Sequence, residues 1–309
     1  MDQPANYPSS KSSNQDVINL NQKIEQATLP PDLENKAKRM TDRLQRMENS
    51  DYYSKEYETT RHYIDWITKL PWNKRVQKPI DITKIQQTLD KHHYGMQDVK
   101  DRILEYMSVL KLRLSHNQGV AKAPTIFLVG LVGTGKTTFA RALSEALDRP
   151  MARIPFGGLG SAKDLRGQSS LHLESEPGYI VKSLAQTQAK NSIILLDEID
   201  RITEKNRDDI MGVLVELLDQ EQNSNFIDHY IDYPIDLSEI IFIATGNNTT
   251  NIATAVQDRL EPIRMPSYTD EEKMHIAQDY LFPQVIKDAG LTSQQLTIDD
   301  QLWPQIVRP

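Results

Sequence analysis

Ile126-Phe127-Leu128-Val129 runs directly into Gly130-Leu131-Val132-Gly133-Thr134-Gly135-Lys136-Thr137, and residues 139–147 continue with helical spacing. A short apolar run that breaks on a glycine reads as a strand buried on both faces. The stretch from Gly130 to Thr137 satisfies G-x-x-x-x-G-K-[ST] in the strand–loop–helix context that the pattern requires. The physical demand is specific. Glycines let successive backbone N–H groups curl around phosphate oxygens, and the helix N-terminus adds its dipole. Lys136 is then placed to reach the β- and γ-phosphates of a nucleotide, and the Thr137 hydroxyl to ligate Mg²⁺. The expected phosphate cradle is Gly130, Leu131, Val132, Gly133, Thr134, Gly135, Lys136, Thr137 and Thr138.

Two further apolar runs lie downstream. Ile193-Ile194-Leu195-Leu196 closes on Asp197-Glu198, and Ile240-Ile241-Phe242-Ile243-Ala244-Thr245 closes on Gly246-Asn247. Helical stretches at 180–189 and 210–218 separate them. Strands that read apolar throughout, with helices between, imply an α/β fold whose parallel sheet is flanked by helices. Asp197, at a strand end, is the candidate to assist Mg²⁺ through water. Glu198 is the candidate general base for an attacking water. Asn247 is placed to hydrogen-bond the γ-phosphate or that water. Two adjacent carboxylates favour hydrolysis over transfer to a small acceptor.

The flanks are polar or helical. Residues 1–15, with Pro4, Pro8 and four serines, lack the apolar groups that offset ordering and are expected to be a disordered tail. Val17, Leu20, Ile24 and Ala27 then step by three and four until Pro30-Pro31. Leu33, Ala37, Met40, Leu44 and Met47 make a short seam expected to pack on a neighbouring helix. More helices are expected at 51–70, 82–89 and 99–112. Thr269-Asp270-Glu271-Glu272 is a good helix start.

At 309 residues the chain has room for about two domains. The 36 Lys plus Arg against 43 Asp plus Glu leave a net charge of −7, so the basic face of a nucleic-acid binder is not expected. No apolar run approaches a membrane span, and a cytoplasmic location is expected. With no cysteine, disulfide frameworks, thiolate nucleophiles and Cys-ligated zinc are excluded. There is no H-E-x-x-H pair for a metalloprotease site either.

Lys136, Asp197-Glu198 and Asn247 fall in the order Walker A, Walker B and sensor 1 of an AAA+ ATPase. More narrowly, the chain resembles the ATPase portion of the Lon family of ATP-dependent proteases over about residues 22–302. The strings that carry the resemblance include Tyr63-Ile64-Asp65-Trp66, Leu70-Pro71-Trp72-Asn73 and His93-Tyr94-Gly95. Downstream they are Leu195-Leu196-Asp197-Glu198-Ile199-Asp200, Asp219-Gln220-Glu221-Gln222-Asn223, Asp228-His229-Tyr230, Asp258-Arg259-Leu260-Glu261 and Tyr268-Thr269-Asp270-Glu271-Glu272-Lys273.

After the tail at 1–15, the resemblance implies a helical linker at 16–78, an AAA+ nucleotide-binding domain at 79–267 and the start of a helical lid at 268–309. It implies ATP and Mg²⁺ as cofactors, and a homo-oligomeric ring, a hexamer, that acts on unfolded or damaged protein. Tyr94 and Gly95 fall where the family contacts adenine. Arg259 falls where an arginine finger reaches the neighbouring subunit's nucleotide, a device worth roughly 10³–10⁵ in rate.

The chain also departs from the family pattern. Lon's N-terminal substrate domain and Ser/Lys protease domain are not represented, and the lid is incomplete. A separate protease chain is therefore a candidate partner, and peptidase activity is not expected from this chain alone. Segment 167–178 aligns with the substrate-gripping pore loop, but His172, Leu173 and Glu174 stand where the family has an aromatic, an aliphatic and a glycine. This leaves two readings: an ATP-driven protein-translocating module, or an ATP-binding regulatory or scaffold subunit that translocates nothing.

Overall fold

The apolar runs around Leu128, Leu195 and Ile243 become neighbouring parallel strands. The computed structural model describes residues 10–47, 50, 52–115, 124–170, 174–219, 221–292 and 294–308. Its strands are β1 (Thr125–Gly130), β2 (Met151–Pro155), β3 (Ile193–Asp197), β4 (Phe226–Ile227), β5 (Pro234–Ile235), β6 (Ile241–Gly246) and β7 (Leu260–Met265). Five of them form an all-parallel sheet in the order β2-β3-β6-β1-β7, while β4 and β5 make a separate antiparallel pair.

The chain divides into two units. The sheet lies wholly in the unit formed by Gln77–Gly158, Ile193–Thr203 and Ile241–Pro309. On one face Ile126, Leu128, Leu195 and Ile243 pack with Phe139 and Leu143 of the helix Lys136–Leu147. Leu89 of the helix Ile82–His92 and Ile103 of the helix Gln97–Ser115 join the same core. The residues that alternate with these strand positions, Phe127, Ile194, Leu196, Phe242 and Ala244, are buried as well. Burial on both faces is why these strands read as continuous apolar runs. Parallel strands deliver their C-termini to one edge, so Gly130, Asp197 and Gly246 finish on adjacent strands, at the crevice where open α/β sheets bind ligands.

β2 and β7 had no clear sequence signal, and both are edge strands. Met151–Pro155 alternates between covered and exposed positions, with Arg153 exposed. β7 contains Pro262, tolerated because an edge strand need not donate from both sides. After the sheet the chain turns helical at Asp270–Ile276. A capping box starts that helix: the Glu272 N–H donates to the Thr269 hydroxyl (3.2 Å), and the Thr269 N–H to the Glu272 carboxylate (2.8 Å).

The second unit comprises Met1–Val76, Leu159–Ser192 and Glu204–Ile240. Its first helices, Ser10–Gln26, Pro31–Arg46 and Tyr53–Lys69, pack on one another. Of the tail expected at 1–15, residues 1–9 lie outside the described set; the helix that buries Val17, Leu20 and Ile24 starts at Ser10, inside that span. The seam on the next helix is Leu33, Ala37, Thr41 and Leu44. Thr41 rather than Met40 fills the inner position because its hydroxyl is satisfied there, its one O–H having Asn21 Oδ1 (2.7 Å) and the Lys38 carbonyl (2.9 Å) within reach as acceptors. Helices Tyr179–Thr187 and Arg207–Leu218 complete this unit around Ile180, Leu184, Ile210 and Leu214.

Candidate nucleotide site

The loop after β1 has the backbone its glycines allow. Gly135 has φ +87°, in the left-handed region, and hands the chain to the N-terminus of the helix Lys136–Leu147. At Gly130 a Cβ would sit 2.5 Å from the Met265 carbonyl, so the loop leaves the sheet where no side chain fits. The Thr134 hydroxyl, buried inside the turn, donates to the Leu131 carbonyl at 2.9 Å. Leu131, Val132 and Gly133 are exposed, and Thr137 is half-buried. Thr138 Oγ1 donates to the Gly135 carbonyl at 2.7 Å.

The Lys136 ammonium spans the loop. It donates to the Gly130 carbonyl (2.6 Å), the Leu131 carbonyl (2.8 Å) and Asn247 Oδ1 (3.2 Å). Burial lowers its pKa below the ordinary lysine value, and the carboxylates of Asp200, Glu198 and Asp197 act in the opposite direction. The sequence-predicted Lys136 and Asn247 thus meet at the end of β1 and β6.

The acidic side is built on β3. Asp197 is buried; its Oδ1 accepts from the Thr245 hydroxyl, and its Oδ2 from Arg153 Nε at 2.6 Å. The same Thr245 oxygen accepts the Glu198 N–H at 2.9 Å. Glu198 has left-handed backbone, φ 59° and ψ 49°, a conformation costing on the order of 1–3 kcal/mol for a residue with a side chain. Its Oε1 lies 3.2 Å from Arg201 Nη1. Asp200 Oδ2 accepts the N–H groups of Asn247 (3.0 Å) and Asn248 (3.3 Å), while its Oδ1 is buried with no partner. Asp200, Thr245, Arg153 and Arg201 were not singled out as functional from the sequence. Asp200 alone had a signal, its place in the string after Asp197-Glu198.

Among the described residues there is no cluster of three or more His, Asp or Glu able to hold a metal by itself. A hydroxyl at Thr137 and one buried carboxylate at Asp197 suit Mg²⁺ that arrives with a phosphate chain and keeps most of its waters. They would not suit a resident metal.

The sequence also pointed to Tyr94 and Gly95. His93 is buried and its ring stacks on Phe139 at 3.6 Å, at the base of the loop helix. Burial pushes its pKa down to about 4. Tyr94 stacks on His275 at 4.9 Å. Gly95, at φ +63°, lies so close to the Glu272 carboxylate that a Cβ would sit 2.5 Å from Oε1. Beside them opens a cavity of about 960 Å³ lined by Met96, Val99, Gly130, Asn247, Met265 and Glu272, among others. Tyr94 and Gly95 are not among the residues that line it.

Arg259 stands elsewhere. Its carbonyl accepts the Thr125 N–H (3.0 Å) where β1 begins, and its Nη1 donates to the Ala255 carbonyl at 2.7 Å. The register runs from Thr125↔Leu260 to Gly130↔Met265, so a strand of about 17–20 Å separates Arg259 from its own chain's loop.

In the other unit, His172 and Leu173 lie outside the described residues, and Glu174 is exposed. The neck of segment 167–178 is tightly built. The Gln168 N–H donates to the Glu176 carbonyl (3.2 Å), and a Cβ on Gly178 would run into the Leu165 carbonyl. Asp228, fully buried, accepts the Gly178 N–H on Oδ2 (2.8 Å) and the Tyr230 and Ile231 N–H groups on Oδ1 (2.8 and 3.1 Å).

Comparison with known proteins agrees with this architecture. Residues 126–267 match the family described as "ATPase family associated with various cellular activities (AAA)". The chain is an α/β AAA+ P-loop protein. It is 37% identical over 300 residues to Lon protease 2 of Thermus thermophilus, covering 95% of this chain and 37% of that protein. It is 38% identical over 296 residues to the Lon protease of Paraburkholderia phytofirmans, covering 96% of this chain and 36% of that one. A mitochondrial Lon protease homolog of Yarrowia lipolytica is 38% identical over 285 residues, 92% of this chain and 24% of its own length. Nearly the whole chain is thus similar to a portion of these Lon proteases, and it spans little more than a third of the two bacterial relatives. Among the described residues no helix is long and apolar enough to cross a membrane.

Proposed function

We propose that this chain binds ATP with Mg²⁺ on the loop from Gly130 to Thr138 and hydrolyses it, as the motor module of a Lon-type ring that pulls on unfolded protein. The observation that carries the reading is the meeting of Lys136 and Asn247 at the end of β1 and β6, one strand from Asp197-Glu198. When ATP enters, Lys136 exchanges its two loop carbonyls for β- and γ-phosphate oxygens, and the N–H groups of the helix start hold the rest of the phosphate chain. Thr137, and Asp197 through water, would hold Mg²⁺, which would supply charge neutralisation on those phosphates. Glu198 takes the proton from the attacking water, and Asn247 orients that water or the γ-phosphate. Arg259, a strand's length from its own loop, serves a neighbouring subunit, which makes the active unit an oligomer, a hexamer by family resemblance.

That division of labour is open to a direct test. ATPase rate per subunit should rise with protein concentration, and mixing Arg259→Ala with Glu198→Gln subunits should restore part of the activity that each lacks alone. A rate independent of concentration with no rescue on mixing would reject the ring. Coupling to protein pulling is read separately, as ATP-dependent loss of fluorescence from a destabilised fluorescent substrate. A ring that hydrolyses ATP without that loss would be a scaffold rather than a motor.

A further inference from the structure

Asp197 is buried, with 5% of its side chain exposed, yet it is held from the solvent edge by Arg153, whose side chain is 55% exposed. The register makes this contact possible. Arg153 pairs with Leu195 and Pro155 with Asp197, so Arg153 and Asp197 stand on the same face, one step apart on neighbouring parallel strands. That is the face covered by the helix Lys136–Leu147, because Leu195 packs there with Phe139. Arg153 Nε and Nη2 both reach Asp197 Oδ2 at 2.6 Å, and the fully buried Thr245 donates to Oδ1. An ionised carboxylate has about four lone-pair sites. Two are taken by hydrogen bonds, one on each oxygen, from Arg153 Nε and the Thr245 hydroxyl.

We propose that Arg153 and Thr245 are positioning residues that, by holding one oxygen each, fix the plane of the Asp197 carboxylate and so aim its free lone pairs at a metal-bound water. The proposal rests on the reading of Asp197 as the residue that assists Mg²⁺. An exposed ion pair contributes little, about 0–1 kcal/mol, but here the partner is buried and its rotation is what the arginine stops. The charge of Arg153 works against a nearby cation, so geometry and charge predict opposite results on its removal. That makes the two separable.

The measurement is metal binding rather than turnover. Mn²⁺ takes the same hard oxygen ligands as Mg²⁺ and is titrated into the chain saturated with ADP, followed by its electron paramagnetic resonance signal. ADP affinity is measured in parallel by calorimetry in chelator. Arg153→Gln and Thr245→Val should each weaken Mn²⁺ binding by about fivefold to tenfold while changing metal-free ADP affinity by less than about twofold. Arg153→Lys and Thr245→Ser, which keep a donor, should recover part of that loss. Unchanged or tighter Mn²⁺ binding in Arg153→Gln would overturn the proposal, as would equal losses with and without metal. Asp197→Asn is the control for the underlying reading: if it too binds Mn²⁺ like the wild type, Asp197 is not the metal's partner and the failure lies there.

Discussion

Asp200 and Asp228 are both almost wholly buried carboxylates, and they are finished in opposite ways. At the neck of segment 167–178, Asp228 has three backbone N–H donors shared over both oxygens. At the end of β3, Asp200 has two on one oxygen and none on the other. Two residues before it, Glu198 sits in left-handed backbone, and Lys136 spends its donors on carbonyls of its own loop. Satisfied charge fixes architecture. An unpartnered carboxylate oxygen and strained backbone, gathered at one sheet edge, support the proposal that this edge is the ligand site.

If that contrast is right, the largest effects belong to the β3 edge. Glu198→Gln should lower ATP turnover by roughly 10³-fold, within the usual range for loss of a general base, and leave calorimetric ATP affinity within about twofold. A variant that lost affinity as severely as turnover would make Glu198 a binding group instead. Lys136→Ala should weaken ATP binding by at least about 100-fold, near 3 kcal/mol, because it removes the side-chain cation inside the loop. Binding as tight as wild type in calorimetry would show that the nucleotide sits elsewhere.

An intermediate effect comes from acid. The folded pKa of His93 lies at about 4, below the ordinary histidine value of 6.5, because the ring is buried. As pH falls from 6.5 towards 4 the unfolded chain takes up a proton that the folded chain refuses, so stability drops, by about 3 kcal/mol in all. Asp228 has the opposite sign: burial outweighs its hydrogen bonds and raises its pKa, so acid relieves a cost there. The difference in urea-unfolding free energy between wild type and His93→Gln should shrink with falling pH across that window. A difference that stays constant would mean that His93 titrates normally.

The smallest effect should be Asp228→Asn. It leaves a backbone N–H of the neck facing an amide donor, and costs about 1–3 kcal/mol of stability. ATP turnover per folded molecule should stay within about twofold. A large loss of turnover in a protein that remains folded would show that the neck, too, takes part in chemistry.

How much of this was visible in the sequence depends on what each residue answers to. β1, β3 and β6 were legible because burial on both faces leaves an uninterrupted apolar run. β2 and β7 were not: an edge strand can carry Arg153, Pro155, Pro262 and Arg264 and still pair on one side. Lys136, Thr137, Asp197, Glu198 and Asn247 came from local order along the chain. Tyr94, Gly95 and Arg259 came from the resemblance, and Arg259 reads locally as an ordinary surface residue. Arg153 and Thr245 were invisible because their contact with Asp197 depends on strand register, and no spacing along the chain encodes that. In the same way the sequence pattern chose Met40 for a seam where geometry and a satisfied hydroxyl chose Thr41.

The grip of Lys136 on its own loop bears on what the site can discriminate. In the proposed reading, entry of a phosphate chain would swap carbonyl partners for phosphate partners, bond for bond, so the count of hydrogen bonds would barely change and contribute little to net affinity. What does change is charge: a neutral dipole is replaced by an anion beside an ammonium. The loop therefore weighs ligands by how much negative charge they bring to one point. On that reading a nucleoside, which brings no phosphate charge, should leave the lysine where it is, and the loop would stay latched until phosphate arrives.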